Sequence, residues 1–267
     1  MKLGKYDLEF SESGKLRSLS ICDCDSVLYD CEEICSFENG YNYVPAGWDE
    51  CFPTIDPYGS WPAMGSIVYS KPKMVTGQGC FTMEWSFDRF AASRIFRTDS
   101  AGELEIIFSV VNRSNRPISF LWASHPLFKL NKLRGVTLAD GSILKDFHPD
   151  GTCRKFFVSA AKPVIADYDE MILSLATDQP YWGIWLNRGG WLSGNFRNIN
   201  CIGIEATNCC GETPDGRSML KPNQIFTGTV MIELNLKNMI PIKGIVSKKE
   251  SHQVGSKSGA IDLRNVL

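Results

Sequence analysis

Hydrophobic and polar residues alternate with a period of two along much of this chain. Such alternation predicts β-strands that bury one face and expose the other, because successive side chains in a strand point to opposite sides. The clearest runs are 15–24 (KLRSLSICDC), 79–87 (GCFTMEWSF), 103–112 (ELEIIFSVVN), 117–128 (PISFLWASHPLF), 181–187 (YWGIWLN) and 226–236 (FTGTVMIELNL). Helical periodicity is scarce, so the pattern predicts an all-β protein.

Short polar segments with turn-forming residues separate these runs. They include NRSNRP (112–117), LADGS (138–142), NRGG (187–190) and KPNQ (221–224). The strands are too numerous for one flat sheet, so we predict stacked antiparallel sheets, as a sandwich or large barrel. This β domain is expected to span residues 1–236. The polar segment 237–267 is expected to be an appendage of uncertain order.

Composition and charge narrow the classes of function. The chain has 267 residues, of which 43% are hydrophobic, enough for a sizeable core. Its formal net charge is -2, and Lys and Arg are scattered among acidic residues, so no nucleic-acid partner is expected. The N-terminus lacks an apolar signal region, and no run approaches the roughly 18 apolar residues of a membrane span. We therefore expect a soluble, cytoplasmic protein.

Ten cysteines raise the question of disulfides and metal sites. In a cytoplasmic protein the thiols stay reduced, so we expect free cysteines. Cys22, Cys24, Cys31 and Cys35 form a candidate zinc quartet, but only the second pair, C-x3-C, has knuckle-like spacing. We favour the interpretation that these are small, half-buried strand residues and that no metal is bound.

Two strand-like runs contain an unexpected titratable residue. The apolar run from Cys201 to Ile204 ends on Glu205. A partly desolvated carboxylate at that place suits proton exchange near neutrality. His125 interrupts the apolar run 117–128. An imidazole at such a place is either a core side chain whose nitrogen atoms are hydrogen-bonded or a proton donor in catalysis.

A loop at 43–61, YVPAGWDECFPTIDPYGSW, interleaves aromatic rings, carboxylates and prolines. Aromatic rings stack on the C–H face of a sugar, and carboxylates accept hydrogen bonds from its hydroxyl groups. The candidate substrate-binding residues are Asp49, Glu50, Trp61, Asn187 and Trp191. For Asn187 and Trp191 a structural role is equally compatible with the sequence.

Other conspicuous side chains have simpler interpretations. Trp122, Trp182 and Trp185 are expected in the core rather than as platforms for a sugar. His148 lies in a turn-like sequence and His252 in the polar C-terminal segment, so both are expected at the surface.

Five motifs carry a specific resemblance when they are taken together. They are GWDECFPTI (47–55), NRSNRPISFLWASHPLF (112–128), GIWLNRGGW (183–191), GIEATNCCGETPDG (203–216) and LKPNQIFTGTVMIEL (220–234). In order and spacing they resemble the galactose mutarotase-like family of aldose 1-epimerases and related sugar epimerases. The resemblance spans roughly residues 1–236. It implies a large antiparallel β-supersandwich that interconverts the α and β anomers of aldoses without a metal or organic cofactor.

The resemblance also implies roles for two residues. Glu205 matches the family's glutamate general base, and His125 matches the histidine that protonates the ring oxygen. The base removes the proton from the C1 hydroxyl, the C1–O5 bond breaks and O5 receives a proton; rotation about C1–C2 and the reverse steps give the other anomer. A histidine with a pKa near the reference value of about 6.5 can donate this proton at neutral pH.

One position departs from the family pattern. Family members carry a histidine in an Asp-His-Gly stretch, and the matching segment here, WPAMGSIVYS, has Met64 instead. Because Met64 cannot exchange a proton or satisfy a hydroxyl, we expect weak activity on glucose and galactose and better binding of a deoxygenated sugar. Two functions stay open, a sugar epimerase of the aldose 1-epimerase type and a non-catalytic carbohydrate-binding protein. The sequence sets neither the sugar nor the oligomeric state.

Overall fold

The computed structural model of the protein describes residues 1–37, 40–191 and 199–237. The strands of these residues, in chain order, are β1 Lys2–Leu3, β2 Tyr6–Phe10, β3 Leu16–Ile21, β4 Cys35–Ser36, β5 Asn42–Tyr43, β6 Trp48–Cys51, β7 Lys73–Gly77, β8 Cys80–Ser86, β9 Phe90–Thr98, β10 Leu104–Asn112, β11 Ile118–Ser119, β12 Ala123–Lys129, β13 Leu133–Thr137, β14 Ile143–Leu144, β15 Thr152–Ser159, β16 Val164–Tyr168, β17 Met171–Thr177, β18 Tyr181–Arg188, β19 Asn200–Thr207, β20 Met219–Leu220 and β21 Ile225–Leu236.

A short 3-10 turn spans Ile67–Tyr69. None of the described helical structure is long and apolar enough to cross a membrane. The predicted appendage, including His252, lies outside the described residues apart from its first residue, Lys237. The domain boundary at 236 therefore stays a prediction.

Two large antiparallel sheets contain most of the strands. The first sheet has the order β1-β2-β3-β6-β12-β19-β18-β15, and the second has the order β14-β13-β16-β17-β21-β10-β9-β8-β7. The pairs β4–β5 and β11–β20 form two small separate ribbons. All six strand-like runs of the sequence contain strands, so the predicted all-β fold is confirmed.

The two large sheets stack face to face with the hydrophobic core between them. The ring of Trp122, just before β12, stacks on Phe108 of β10 with centroids 5.7 Å apart. Phe52, just after β6, meets Phe90 of β9 edge-on at 4.9 Å. Trp122 and Trp182 are almost completely buried, which confirms their predicted place in the core.

The core also contains an ion pair that joins the sheets. Nε of Arg94 in β9 lies 2.9 Å from Oε1 of Glu50 in β6. Trp122 donates a hydrogen bond to Oε2 of Glu50 at 2.8 Å, and Ser124 donates one to Oε1 at 3.2 Å. Burial raises the pKa of Glu50 to about 7, although Arg94 opposes this effect. The pair is thus a buried structural contact whose loss would leave an unpaired charge in the core.

Candidate active site

Strand register gathers a set of polar side chains on the outer face of the first sheet. Residues directly opposite each other in antiparallel strands point to the same side. The opposed pairs on this face are His125 with Asp49, Leu127 with Gly203, Glu205 with Gly183, and Trp185 with Lys155. Their neighbours in sequence, such as Glu50 and Ser124, point into the core. Strands β6, β12, β19, β18 and β15 therefore form the floor of one surface.

Glu205, His125 and Lys155 meet at the centre of this floor. Nε2 of His125 lies 3.5 Å from Oε1 of Glu205. Nζ of Lys155 donates to both carboxylate oxygens of Glu205 at 2.7 Å, and it lies 3.1 Å from Oε1 of Glu212. The Glu205 side chain is fully buried and His125 is 6% exposed. A carboxylate, an imidazole and an ammonium thus form one contiguous polar cluster.

A glycine beside Glu205 leaves room for its carboxylate. A Cβ at Gly203 would lie 2.8 Å from Oε1 of Glu205 and 3.3 Å from Cβ of Trp185. A contact of 2.8 Å is too short for a carbon atom, so any other residue at 203 would displace the carboxylate or the strand. The absence of a side chain at this position therefore leaves space for the Glu205 carboxylate.

Burial shifts the protonation equilibria of this cluster. It lowers the pKa of His125 below its ordinary value, although the Glu205 carboxylate opposes the effect. His125 is therefore mostly neutral at pH 7, which modifies the expectation of a pKa near the reference value. Burial alone would also lower the pKa of Lys155, but Glu205 and Glu212 outweigh it and the pKa is raised. Lys155 is the group that stays positively charged.

A cavity of about 210 Å³ opens above His125 and Lys155. Four aromatic residues line it, Phe37, Tyr43, Trp185 and Trp191. The rings of Trp185 and Trp191 meet edge to face, with centroids 5.4 Å apart and planes at 88°. The expectation that Trp185 belongs to the core is wrong, because its position in β18 points it to the outer face beside Lys155. The two indoles form an aromatic corner of the kind that suits a sugar ring.

Met64 contributes to an apolar wall of the same cavity, together with Ile55 and Ala63. Its backbone has a left-handed conformation with φ of 63°, and so has that of Gly65 with φ of 73°. A Cβ at Gly65 would lie 2.1 Å from the carbonyl oxygen of Phe52, so this loop can approach the strand end only with a glycine there. This contact fixes the thioether of Met64 at the cavity wall.

Two acidic residues, Asp56 and Glu212, also line the cavity. Their loops are joined through the backbone, because the amides of Ile55 and Asp56 donate to the carbonyl oxygen of Glu212 at 3.1 and 2.9 Å. The hydroxyl of Thr54 donates to the same oxygen at 3.3 Å. These hydrogen bonds bring both acidic residues to the same edge of the cavity.

Two of the predicted substrate-binding residues support the cavity from behind. Asp49 pairs with Lys15, whose ammonium lies 4.5 Å from the ring centroid of Tyr43 in the cavity wall. Oδ1 of Asn187 accepts hydrogen bonds from the amides of Gly190 and Trp191, both at 3.1 Å. Asn187 thereby holds the turn that carries Trp191 to the cavity, which is a positioning role.

The structure does not bring Glu50 and Trp61 to this cavity. Glu50 is adjacent to Asp49 in β6 and so points to the other side of the sheet, where it pairs with Arg94. Trp61 packs against Phe90 at 6.2 Å, and the guanidinium of Arg89 covers its ring at 4.8 Å. Neither residue is included in the site proposed below.

Sequence reasoning missed Lys155 and gave Glu212 no role. Glu212 lies within the motif 203–216, yet nothing in that motif indicates that its side chain faces Lys155. Lys155 lies in the alternating stretch TCRKFFVS, which is β15. Strand alternation alone could have marked Lys155 as a polar residue on one face, but its distance from Glu205 depends on the order β19-β18-β15.

No group of three or more His, Cys, Asp or Glu residues within the described ranges is arranged to hold a metal ion. The four cysteines Cys22, Cys24, Cys31 and Cys35 form no such group, and all ten cysteines are free.

A larger depression, of about 360 Å³, lies between the segments 129–132 and 168–171. Its ion pair, between Lys132 and Asp25 at 3.2 Å, is exposed to solvent. Neither His125 nor Glu205 lines it. The smaller cavity above His125 is therefore the better candidate for chemistry, since His125 and Lys155 in its wall both contact the fully buried carboxylate of Glu205.

Comparison with solved structures identifies the fold. The chain is 16% identical to a galactose mutarotase related enzyme from Lactobacillus acidophilus, with 88% of this chain and 96% of that chain covered and a TM-score of 0.61. Galactose 1-epimerase from Lactobacillus acidophilus NCFM is 12% identical, with 88% of this chain and 93% of that chain covered and a TM-score of 0.58. A galactose mutarotase-like protein from Clostridium acetobutylicum is 13% identical, with 88% of this chain and 94% of that chain covered and a TM-score of 0.53.

At these identities the likeness establishes the fold. The resemblance to galactose mutarotase-like proteins, first inferred from five sequence motifs, is thereby confirmed at the level of architecture. No protein-family model matches the chain, and no curated protein is similar to it in sequence.

Proposed function

We propose that this protein is a sugar epimerase of the aldose 1-epimerase type, in which Glu205 is the general base and His125 the general acid. The observation that carries the proposal is that Nε2 of His125, a residue in the wall of an aromatic-lined cavity, lies 3.5 Å from Oε1 of the buried Glu205. O1 and O5 of an aldose are bonded to the same carbon. Two side-chain atoms this close together can therefore face both oxygens of one anomeric centre within hydrogen-bond reach.

The proposed reaction needs one proton acceptor and one proton donor. The Glu205 carboxylate accepts the C1 hydroxyl proton, a C1=O double bond forms, and the electrons of the C1–O5 bond move to O5, which takes a proton from the imidazolium of His125. After rotation about C1–C2, O5 attacks the other face of C1. His125 then recovers its proton from O5, and Glu205 returns its proton to O1. No atom or electron is gained or lost over the cycle.

Lys155 acts as a positioning residue in this proposal. Its two 2.7 Å hydrogen bonds fix both oxygens of Glu205 against the sheet. The acid step depends on the imidazolium of His125, which is a minor form at neutral pH because burial lowers the pKa of the ring.

A second candidate function is non-catalytic sugar binding. Two observations favour it, the engagement of both Glu205 oxygens by Lys155 and the presence of Met64 in the cavity wall. A carboxylate held in that way is a weaker proton acceptor for a substrate hydroxyl. In this case the cavity would bind a sugar through its aromatic corner and leave the anomeric ratio to the solvent.

Polarimetry separates the two candidates. Freshly dissolved α-anomers of several aldoses should equilibrate faster with the wild-type protein, and Glu205→Gln should remove most of the acceleration, about 100-fold or more. His125→Asn should also slow the reaction strongly, since it removes the proton donor. Glu84→Gln, in β8 of the second sheet, is the matched control and should behave like the wild type.

Binding measured in parallel decides between the candidates. The fluorescence of Trp185 and Trp191 in the cavity wall should report sugar binding in every variant. A wild-type protein that binds sugars but accelerates none of them would establish the second candidate. A Glu205→Gln variant as fast as the wild type would refute the assignment of the base.

A further inference from the structure

The charged residues around the cavity are unbalanced. Among the described residues, Lys155 faces two carboxylates at once, those of Glu205 and Glu212. Asp56 adds a third carboxylate at the cavity edge. Lys15 does not offset this excess, because it is paired with Asp49. Among the described residues, the cavity wall thus has two carboxylates, those of Asp56 and Glu212, and one ammonium, that of Lys155, which also contacts the buried carboxylate of Glu205.

The two edge carboxylates belong to loops that are joined through the backbone, and Glu212 also pairs with Lys155 at 3.1 Å. The amide of Asp56 donates to the carbonyl oxygen of Glu212 at 2.9 Å, which fixes the two loops together. Burial raises the pKa of Asp56, and the negative charge of Glu212 adds to the effect. A positively charged ligand group at this edge would relieve the repulsion between them, whereas an anionic group would add to it.

Aromatic rings line the same cavity as the two edge carboxylates. Tyr43, Trp185 and Trp191 line the cavity together with the acidic pair. An ammonium group is attracted to the face of an aromatic ring, so rings and carboxylates favour the same kind of ligand.

From this arrangement we propose that the substrate is a sugar without negative charge, and that an amino sugar is preferred over the corresponding neutral sugar. The inference rests on the proposed function in that the cavity must hold a sugar ring at His125 and Glu205. Phosphorylated sugars and uronic acids are rejected, because their anionic group meets an excess of carboxylates. An ammonium substituent pairs with Asp56 and Glu212 at the cavity edge.

The test is a fluorescence titration with three probes, D-galactosamine, D-galactose and D-galactose 6-phosphate, at low salt and below the pKa of the sugar amine. We expect galactosamine to bind about fivefold or more tightly than galactose, and the 6-phosphate to bind about fivefold or more weakly. Added salt should reduce both differences. Asp56→Asn and Glu212→Gln should each reduce the preference for galactosamine. Glu12→Gln, at a 93% exposed side chain outside the cavity, should leave it unchanged.

Polarimetry on the same sugars separates this inference from the proposed function. A protein that discriminates by charge but accelerates no anomerisation would support the inference and refute the epimerase. Equal affinity for galactosamine and galactose, or an affinity for the 6-phosphate as high as for galactose, would overturn the inference even if galactose is epimerised. Failure to bind any of the three probes would overturn it as well.

Discussion

The substitution Gly203→Ala would move the proposed base without changing its chemistry. The added Cβ would lie 2.8 Å from Oε1 of Glu205, and ordinary contact begins near 3.4 Å, so the carboxylate must shift by about 0.6 Å. Lys155 holds that carboxylate through both oxygens, which resists the shift. Since a misplacement of about 1 Å can cost on the order of 100-fold in rate, we expect a loss of about 10- to 100-fold. The overpacking should cost about 1–3 kcal/mol of stability.

The assay is the polarimetric rate of the folded variant, with its free energy of unfolding measured separately. Gly135→Ala in β13 is a matched control, since a Cβ there would have no neighbour closer than 3.6 Å and β13 belongs to the second sheet. Gly135→Ala should keep the wild-type rate. A folded Gly203→Ala variant with wild-type rate would refute the reasoning, because the position of Glu205 would then be irrelevant to the reaction.

Three further predictions concern pH, stability and specificity. Burial lowers the pKa of His125, so the imidazolium forms only at a lower pH than for an ordinary histidine. The polarimetric rate should therefore rise as the pH falls from neutrality. A rate independent of pH would contradict the role of His125 as the acid. The pKa of Glu50 is raised to about 7 in the folded protein, compared with about 4.5 for an ordinary glutamate. The protonated Glu50 carboxyl therefore contributes fully to the free energy of unfolding below pH 4.5, and this contribution is lost as the pH rises through about 7. Relative to Glu50→Gln, the wild type should lose on the order of 3 kcal/mol of unfolding free energy across that window, as measured by urea denaturation; a difference independent of pH would contradict this. Met64→His should raise the ratio of the rate on galactose to the rate on the matching deoxy sugar, and an unchanged ratio would mean that Met64 does not contact the substrate.

The parts of the structure that follow from local alternation could be predicted from the sequence. The run 226–236 alternates except at Met231 and forms β21 (Ile225–Leu236), and the run 103–112 contains β10. His125 and Glu205 were identified because each interrupts or ends an apolar run, where a charge is costly without a specific partner. Their contact, however, depends on the pairing of β12 with β19, which no local pattern specifies.

The errors concern which face of a strand a side chain occupies. Asp49 and Glu50 are adjacent and equally acidic, yet one lies beside His125 and the other pairs with Arg94 in the core. Trp182 and Trp185 are both aromatic residues of β18, but three residues apart they point to opposite faces, so only Trp182 is in the core. The alternation of a strand shows which of its residues share a face. It does not show which of the two faces is buried when each face carries aromatic or acidic side chains.

Anomer exchange measured by NMR at equilibrium tests the central claim most directly, because it detects the interconversion itself and not only binding. Wild-type protein should accelerate exchange between the α and β signals of an uncharged aldose or an amino sugar. Glu205→Gln should reduce that acceleration by about 100-fold or more while sugar binding persists. A Glu205→Gln variant that exchanges the anomers as fast as the wild type, or a wild-type protein that binds these sugars and exchanges none of them, would contradict the account.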